Sequence, residues 1–350
     1  MKSWGFAVIG CGAISAAHID SIVRLPNAKL VAAYNRTRPK AEAVAQKHGC
    51  TAYDDLDALL AREDVEIVTI CTASGAHLEP ALKAAAAGKH VIIEKPLEIT
   101  PQRCDQIIAA CARSGVKLAT VFQSRFSPHN RALKAAIDAG RLGRLVLGDA
   151  YVKWFRSQAY YDNGAWRGTW EVDGGGALMN QAIHQIDLLQ WMMGDVESVY
   201  GQTGTLAHER IDVEDTAAAV IRFASGALGV IEGTTSIYGG YPKRIEIHGS
   251  QGTAVLVDDE PERWELAGMT EEERSAVLGS AVRDPNAKTF ADPMAMSFDK
   301  HRAQLQDFIA AIEEDRSPAV DGREGRKSVE LICAVYHSAQ SVQPVRLNGA

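Results

Sequence analysis

The chain has 350 residues, too many for one small core, and suits two domains. Its 46 % hydrophobic and 23 % charged residues are those of an ordinary globular protein. The net charge of −7 argues against nucleic acid and against an anionic membrane surface as partners. Six cysteines are scattered, with no pair at metal-knuckle spacing, so neither a disulfide framework nor a structural metal is expected. A reducing compartment fits that usage. Trp4 already enters a strand-like run, which leaves no room for a leader, and no stretch approaches 18 apolar residues. A cytoplasmic protein that spans no membrane is expected.

Residues 1–124 alternate between two periods. "WGFAVIG" reads as a strand and "ISAAHIDSIVRL" as a helix. "AKLVAAYN" follows as a strand, then "RPKAEAVAQKHG" as a helix closed by Gly49. "VEIVTICT" precedes a helix closed by Gly88, and "HVIIE" is the next strand. Thr100 is placed as an N-cap with Pro101 at the first helical position, and that helix ends at Gly115. "VKLATVFQ" is the last strand of the series. Buried strands alternating with helices predict a parallel sheet covered on both faces.

After Phe126 the rhythm changes. One helix over "PHNRALKAAIDAG" precedes longer strand-like runs, at Arg144–Phe155, Val196–Leu206, Asp215–Ala224, Gly226–Ile237, Lys243–Gly249 and Thr253–Asp258. Short turns near Gly226 and Gly249 suit antiparallel pairs. A strong helix, Ala177–Met193, interrupts them, and two helical stretches, Asp299–Glu314 and Gly322–Ser341, end the chain. The charged stretch Glu260–Arg274 reads as an exposed loop. The expected fold is thus an α/β Rossmann-type dinucleotide-binding domain, 1–124. An α+β domain with an open, mainly antiparallel β-sheet, 125–350, follows, with late helices that pack back on the first domain.

"VIGCGAIS" sets Gly10, Gly12 and Ser15 at G-x-G-x-x-small spacing, between a strand and a helix. The first glycine permits the tight turn, and the second lets backbone approach a pyrophosphate at the helix N-terminus, with Ala13 and Ile14 completing the loop. The second strand ends in Tyr34-Asn35-Arg36-Thr37-Arg38, without the carboxylate that binds the adenosine ribose of NAD. Asn35 suits a ribose hydroxyl, and Arg36 or Arg38 suits a 2′-phosphate. The cofactor is therefore NAD or NADP, with a lean toward NADP or toward both. The alternative is that Arg36 packs beside the adenine and Arg38 is plain surface.

In "DGGGALMNQAIHQIDLLQWMMG", Asn180, His184 and Asp187 lie at steps of four and three on a largely apolar helix. Those steps share one face. The glycines Gly174–Gly176 would let another chain or a ligand approach the helix start. A metal site built from His184 and Asp187 with His77 or His301 is the competing reading, and no metal is expected. The run "KWFRSQAYYDNGAWRGTWEVD" offers Tyr160, Trp166 and Arg167 to a polyhydroxylated ring, or equally to a subunit contact. Arg125 and His301 complete the substrate-side candidates.

The pieces "GCGAIS", "CTASGAH", "EKP" and "GGGALMNQAIHQIDLLQW", in that order, resemble the glucose-fructose oxidoreductase / inositol 2-dehydrogenase / rhizopine catabolism family over nearly the whole chain. The resemblance implies hydride transfer between a nicotinamide and a hydroxyl or carbonyl carbon of a sugar, sugar derivative or cyclitol. The family's lysine falls on Lys95, its helix histidine on His184 and its later helix acid on Asp187. Thr72, His77 and Glu94 fall on the cofactor side, together with Lys95. Where inositol-dehydrogenase-like members carry an aspartate, this chain has Asn180, which binds a hydroxyl but shares no proton. His184 is then the acid/base, Lys95 holds the reacting oxygen, and Asp187 orients or polarises His184. Other expectations on the same fold are internal redox with a tightly held cofactor, reduction of an unsaturated carbon, or a nucleotide-binding sensor. An open sheet with one face left to cover implies a homodimer or homotetramer through it.

Overall fold

The computed structural model describes residues 2–164, 167–281 and 298–347. The chain divides into two compact units, Met1–Gln123 with Met296–Val329, and Ser124–Ala295 with Glu330–Ala350. The first contains β1 (Trp4–Ile9), α1 (Ser15–Arg24), β2 (Ala28–Tyr34), α2 (Arg38–His48), β3 (Thr51–Tyr53), α3 (Leu56–Leu60), β4 (Ile67–Ile70), α4 (Leu78–Ala86), β5 (His90–Ile93), α5 (Pro101–Arg113) and β6 (Leu118–Thr120). The second contains α6 (Pro128–Asp138), β7 (Leu145–Lys153), α7 (Gln158–Asp162), α8 (Ile183–Met193), β8 (Val196–Gly204), β9 (Thr216–Phe223), β10 (Leu228–Thr234), β11 (Arg244–Gly249), β12 (Gly252–Val257), β13 (Glu260–Leu266) and α9 (Glu271–Gly279). Then come α10 (Asp299–Glu313), α11 (Gly322–Ser341) and β14 (Val345–Arg346).

In the first unit six strands run parallel in the order β3-β2-β1-β4-β5-β6. Every residue of β1 and β4 is buried, which is why these strands read as unbroken apolar runs. Helix ends follow the sequence signals. Thr100 accepts the N–H of Arg103, and Gly49 closes α2 in the left-handed region at φ 68°. The last strand is shorter than expected. Thr120 donates its N–H to the Val320 carbonyl, and Ala119 bridges Asp321, so a returning segment takes over there. That return carries α10 against α1, where Leu305, Phe308 and Ile309 join Phe6, Ile19 and Ile22 in one core.

The second unit holds an eight-stranded sheet ordered β13-β12-β11-β7-β10-β9-β8-β14. All its pairs are antiparallel except β7 with β10. The face that α8 covers alternates with an outer face, most clearly along β9, where Ala217, Ala219 and Ile221 are buried and Val220 and Arg222 exposed. The stretch expected as a loop at Glu260–Arg274 is instead β13 and the start of α9. Trp264 and Leu266 alternate inward from the charged residues of β13, and Thr270 forms a capping box with Glu273. The charges there hid a period of two and a helix start.

Phe308→Ala removes a fully buried ring from the core shared by α1 and α10. It is expected to lower unfolding stability in urea by about 3–5 kcal/mol. A loss below about 1 kcal/mol would contradict the place given to α10.

Candidate active site

β1 ends at Ile9 and the chain turns through Gly10 at φ 96°. A Cβ there would sit 2.8 Å from the Cys71 carbonyl and the Thr72 nitrogen, so only glycine lets β1 and β4 loops lie this close. Gly12 is different: a Cβ would meet no atom of the protein within 4 Å. Protein packing does not demand glycine at that place, whereas close approach by a pyrophosphate does. Gly12 and Ala13 are exposed at the start of α1, where the first N–H groups of a helix lack intrahelical acceptors. Ser15 donates its hydroxyl to the Gly12 carbonyl at 2.6 Å and braces the loop. Asn35 braces it from β2, accepting the Cys11 N–H at 3.1 Å and donating to the Thr37 carbonyl. Arg38 is engaged with Glu42 and Asp54, and Arg36 is exposed. The loop therefore fits a dinucleotide pyrophosphate.

Two further loops leave the same edge of the parallel sheet. Thr72 follows β4 and donates its hydroxyl to Ala76. Buried His77 stands between the two loops, with Nδ1 at 2.9 Å from the Pro96 carbonyl and Nε2 at 3.2 Å from the Thr72 carbonyl. Burial pushes its pKa down against the pull of Glu98 and of those two carbonyls, and the ring ties the β4 loop to the turn after β5. That turn is Glu94-Lys95-Pro96, with a cis peptide before Pro96. Glu94 is buried. Its Oε1 accepts from His18 Nε2 at 2.8 Å, and its Oε2 accepts the Lys95 N–H at 3.1 Å. Burial alone would raise the Glu94 pKa, but the His18 contact outweighs it and holds the carboxyl down at about 2. His301, expected on the substrate side, is buried in this unit with Nε2 3.9 Å from Glu94.

In the second unit the helix expected over Ala177–Met193 opens as a π-helical turn, Ala177–Ala182, before α8. π-turns inside helices are frequent at functional sites. The turn's start is held by buried Glu214, which accepts the N–H groups of Gly176 and Leu178 and the Tyr336 hydroxyl at 2.8–2.9 Å. Burial raises the Glu214 pKa to about 7, against the pull of those three donors. A Cβ on Gly176 would lie 1.8 Å from the Glu214 carbonyl oxygen. The Glu214 backbone at Gly176 and the Tyr336 side chain at Gly175, rather than a ligand, thus occupy the space these two glycines leave.

From Ala177 to Gln190 every residue is buried except Asn180 and His184. These two, four apart, are the helix's accessible polar positions. Asn180 donates to Asp173 Oδ1 at 2.8 Å and accepts from Gln181 at 3.2 Å. Gln181 also donates to the Tyr160 hydroxyl and accepts from Arg156. The Arg167 guanidinium stands 4.7 Å from the Tyr160 ring centroid. Asp187 is buried, and both its oxygens accept from Arg125, at 2.8 and 2.7 Å. Arg125, expected on the substrate side, is thus the buried partner of Asp187. Trp166 lies outside the described residues.

Four residues carry this geometry without standing out in the sequence. His18 sits inside an apolar helical run, and Gln181 is a second amide beside Asn180. Glu214 and Tyr336 reach the glycine turn from 38 and 122 residues away from Gly176 and Glu214 respectively. A second amide on a buried helix was the one local signal available.

A parallel sheet in 3-2-1-4-5-6 order, a glycine loop open to a pyrophosphate and a lysine at the carboxyl edge define a dinucleotide-dependent oxidoreductase. Residues 4–122 match the oxidoreductase family with an NAD-binding Rossmann fold, and residues 130–255 match the GFO/IDH/MocA C-terminal domain. The inositol 2-dehydrogenase of Pseudomonas syringae pv. syringae is 30% identical, over 97% of this chain and 96% of its own. The myo-inositol 2-dehydrogenase of Thermotoga maritima is 29% identical over 97% of each chain. The WlbA dehydrogenase of Bordetella pertussis, solved with NADH and UDP-GlcNAcA, is 33% identical with a TM-score of 0.89, covering 99% of this chain and 98% of that one. The chain belongs to the GFO/IDH/MocA family.

The Glu94 carboxyl is held below its ordinary pKa and the His18 ring above its own. Glu94 therefore stabilises the fold above its unfolded pKa, and that contribution fades as pH falls through about 2. His18 stabilises it below its unfolded pKa, fading as pH rises through about 10. The stability gap between the wild type and Glu94→Gln is expected to be widest at roughly pH 4.5–6.5 and to narrow on both sides. Denaturant titrations across pH check this, and a gap independent of pH contradicts the ion pair.

Proposed function

We propose that this chain oxidises a hydroxyl-bearing carbon of a sugar, sugar derivative or cyclitol, or reduces the corresponding carbonyl, with a nicotinamide dinucleotide. The observation that carries the reading is the pairing of Asn180 and His184 as the accessible polar positions on a buried helix. A core helix has no packing reason to leave an amide and an imidazole, one turn apart, within reach of solvent.

When bound, the nicotinamide accepts or returns the hydride. The chain's residues handle the proton and the oxygen. His184 takes the hydroxyl proton during oxidation and returns it in the reverse direction. Lys95 hydrogen-bonds the reacting oxygen and poises that proton. Asn180, oriented by Asp173 and Gln181, binds a neighbouring hydroxyl without exchanging a proton. Asp187, held by Arg125, orients or polarises His184 from one turn along α8. Tyr160, with Arg156 and Arg167 stacked near its ring, offers an aromatic face with donors, which suits a polyhydroxylated ring.

The binding loop accepts NAD and NADP alike in this reading. No carboxylate stands at the end of β2 to repel a 2′-phosphate, and the Arg36 guanidinium is exposed beside Asn35. The outer face of the eight-stranded sheet pairs two copies of the chain. Tyr200, Val220 and Leu228 are exposed there on neighbouring strands, an apolar area that water does not favour.

Lys95→Met and His184→Asn are each expected to lower turnover by about 10²–10⁴-fold. NADH affinity stays within about tenfold, or ~1.4 kcal/mol. Absorbance at 340 nm over a panel of cyclitols and aldoses, with NADH binding by fluorescence, checks both. Wild-type kinetics in either variant would remove that residue from the chemistry. Arg36→Ala is expected to weaken NADPH binding by about tenfold and NADH binding by less than about twofold. Equal losses for the two would contradict the 2′-phosphate assignment.

A further inference from the structure

The nucleotide loop and the lysine turn are joined by a buried side chain that neither motif contains. His18 lies one turn into α1, directly behind the Gly10–Ile14 loop, and is fully buried. Its Nε2 donates to Glu94 Oε1 at 2.8 Å, and its Nδ1 lies 2.7 Å from the Thr69 hydroxyl. Thr69 stands in β4, in register with Val8 of β1 and Ile92 of β5. The other Glu94 oxygen accepts the Lys95 N–H at 3.1 Å. A continuous line of hydrogen bonds therefore runs from β4 through α1 to the backbone of Lys95.

Breaking the pair costs stability, but stability does not explain why an ion pair stands here in place of apolar side chains. Taking two charges out of water costs several kcal/mol, and apolar replacements of similar volume are often neutral or stabilising. Each member here also touches something functional: His18 the helix that begins at the dinucleotide loop, Glu94 the residue that carries Lys95. The Lys95 charge is among those that hold Glu94 ionised, so the carboxylate in turn favours the charged form of Lys95. The His18 contact keeps that carboxylate ionised against its burial and so sustains the pull.

The groups facing the pair come from every element packed on it. Thr69 and Cys71 face it from β4, Lys95 from the turn after β5, and His301 from α10. His301 adds no charge, since burial pushes its pKa down to about 4. Burial also opposes a charge on His18, while Cys71 and Glu94 favour one, and the net direction is upward. Of those two, the Glu94 carboxylate is a full charge in direct contact and is the partner that matters.

We propose that His18 is a positioning residue for Lys95: it fixes the Glu94 carboxylate behind the lysine and keeps it ionised. The helix that opens the dinucleotide loop thereby helps set the proton affinity of the lysine that the proposed reaction uses, and the inference rests on that reading for the lysine's role.

The test needs no substrate. Full-length wild type and His18→Gln are labelled with trace acetic anhydride at pH 8, and acetylation of Lys95 is quantified by peptide mass spectrometry against Lys243. Without the His18 contact, burial pushes the Glu94 carboxyl up toward its neutral form, and Lys95 loses the anion that favours its charged form. Acetylation of Lys95 is expected to speed at least threefold, with NADH affinity within threefold of wild type. Acetylation at the wild-type rate in folded His18→Gln overturns the proposal. If that variant does not fold, Glu94→Gln is read in the same sense. Loss of the anion is expected to speed Lys95 acetylation at least threefold, and an unchanged rate overturns the proposal equally. Failure of the sugar or cyclitol reading would show as absent turnover in wild type and would leave the acetylation result unaffected.

Discussion

β1, β4 and β5 run parallel and side by side, so the three loops that follow them must leave the same edge of the sheet. Everything on the cofactor side depends on that constraint. It brings Gly10 to within van der Waals range of the Cys71–Thr72 backbone, where no other residue fits. It lets one imidazole, His77, reach the carbonyls of both neighbouring loops. It also puts Glu94 over the helix that begins at the glycine turn, where His18 meets it. An antiparallel arrangement would send alternate loops to opposite edges and leave none of these contacts.

The second unit solves a different problem. A helix buried along nearly its whole length must still present polar groups, and its first turn must be anchored although glycines give it no side chains to pack. Glu214 and Tyr336 anchor it through backbone N–H groups. Arg125 neutralises the buried Asp187 lower down. With both ends held, Asn180 and His184 face outward from a fixed helix. Polar groups presented by a rigid element are held closer to productive geometry than groups on loops.

Much of this was legible in the sequence because it is local. Strand and helix periods, the Gly49 and Gly115 stops, the Thr100 cap and the glycine loop each depend on residues within a few positions of one another. Lys95 and His184 stood out for the same reason, as polar residues at the ends or on the faces of apolar runs. What escaped is non-local. His18 and Glu94 are 76 residues apart, and Arg125 and Asp187 62 apart. No spacing rule relates such pairs. The return of residues 298–329 to the first unit agrees with the expectation for the late helices, but the side chains that fix it, Leu305, Phe308 and Ile309 against α1, are not revealed by periodicity. The Glu260–Arg274 stretch reads as a loop for another reason: its charges mask the inward positions Pro261, Trp264 and Leu266. Charge density there marks the outward positions of a strand, and not a loop.

The central claim is that this fold moves a hydride between a carbon of a polyhydroxylated compound and a nicotinamide. The most direct measurement follows the hydride itself. The enzyme is incubated with NAD and a panel of cyclitols and aldoses carrying deuterium at their hydroxyl-bearing carbons, and the reduced dinucleotide is analysed by mass spectrometry. The account predicts that NADH formed with an active substrate carries one deuterium at C4 of the nicotinamide, in amounts that match the carbonyl product. NADH without deuterium, or no reduced dinucleotide from any compound by an enzyme that binds NADH, would contradict it.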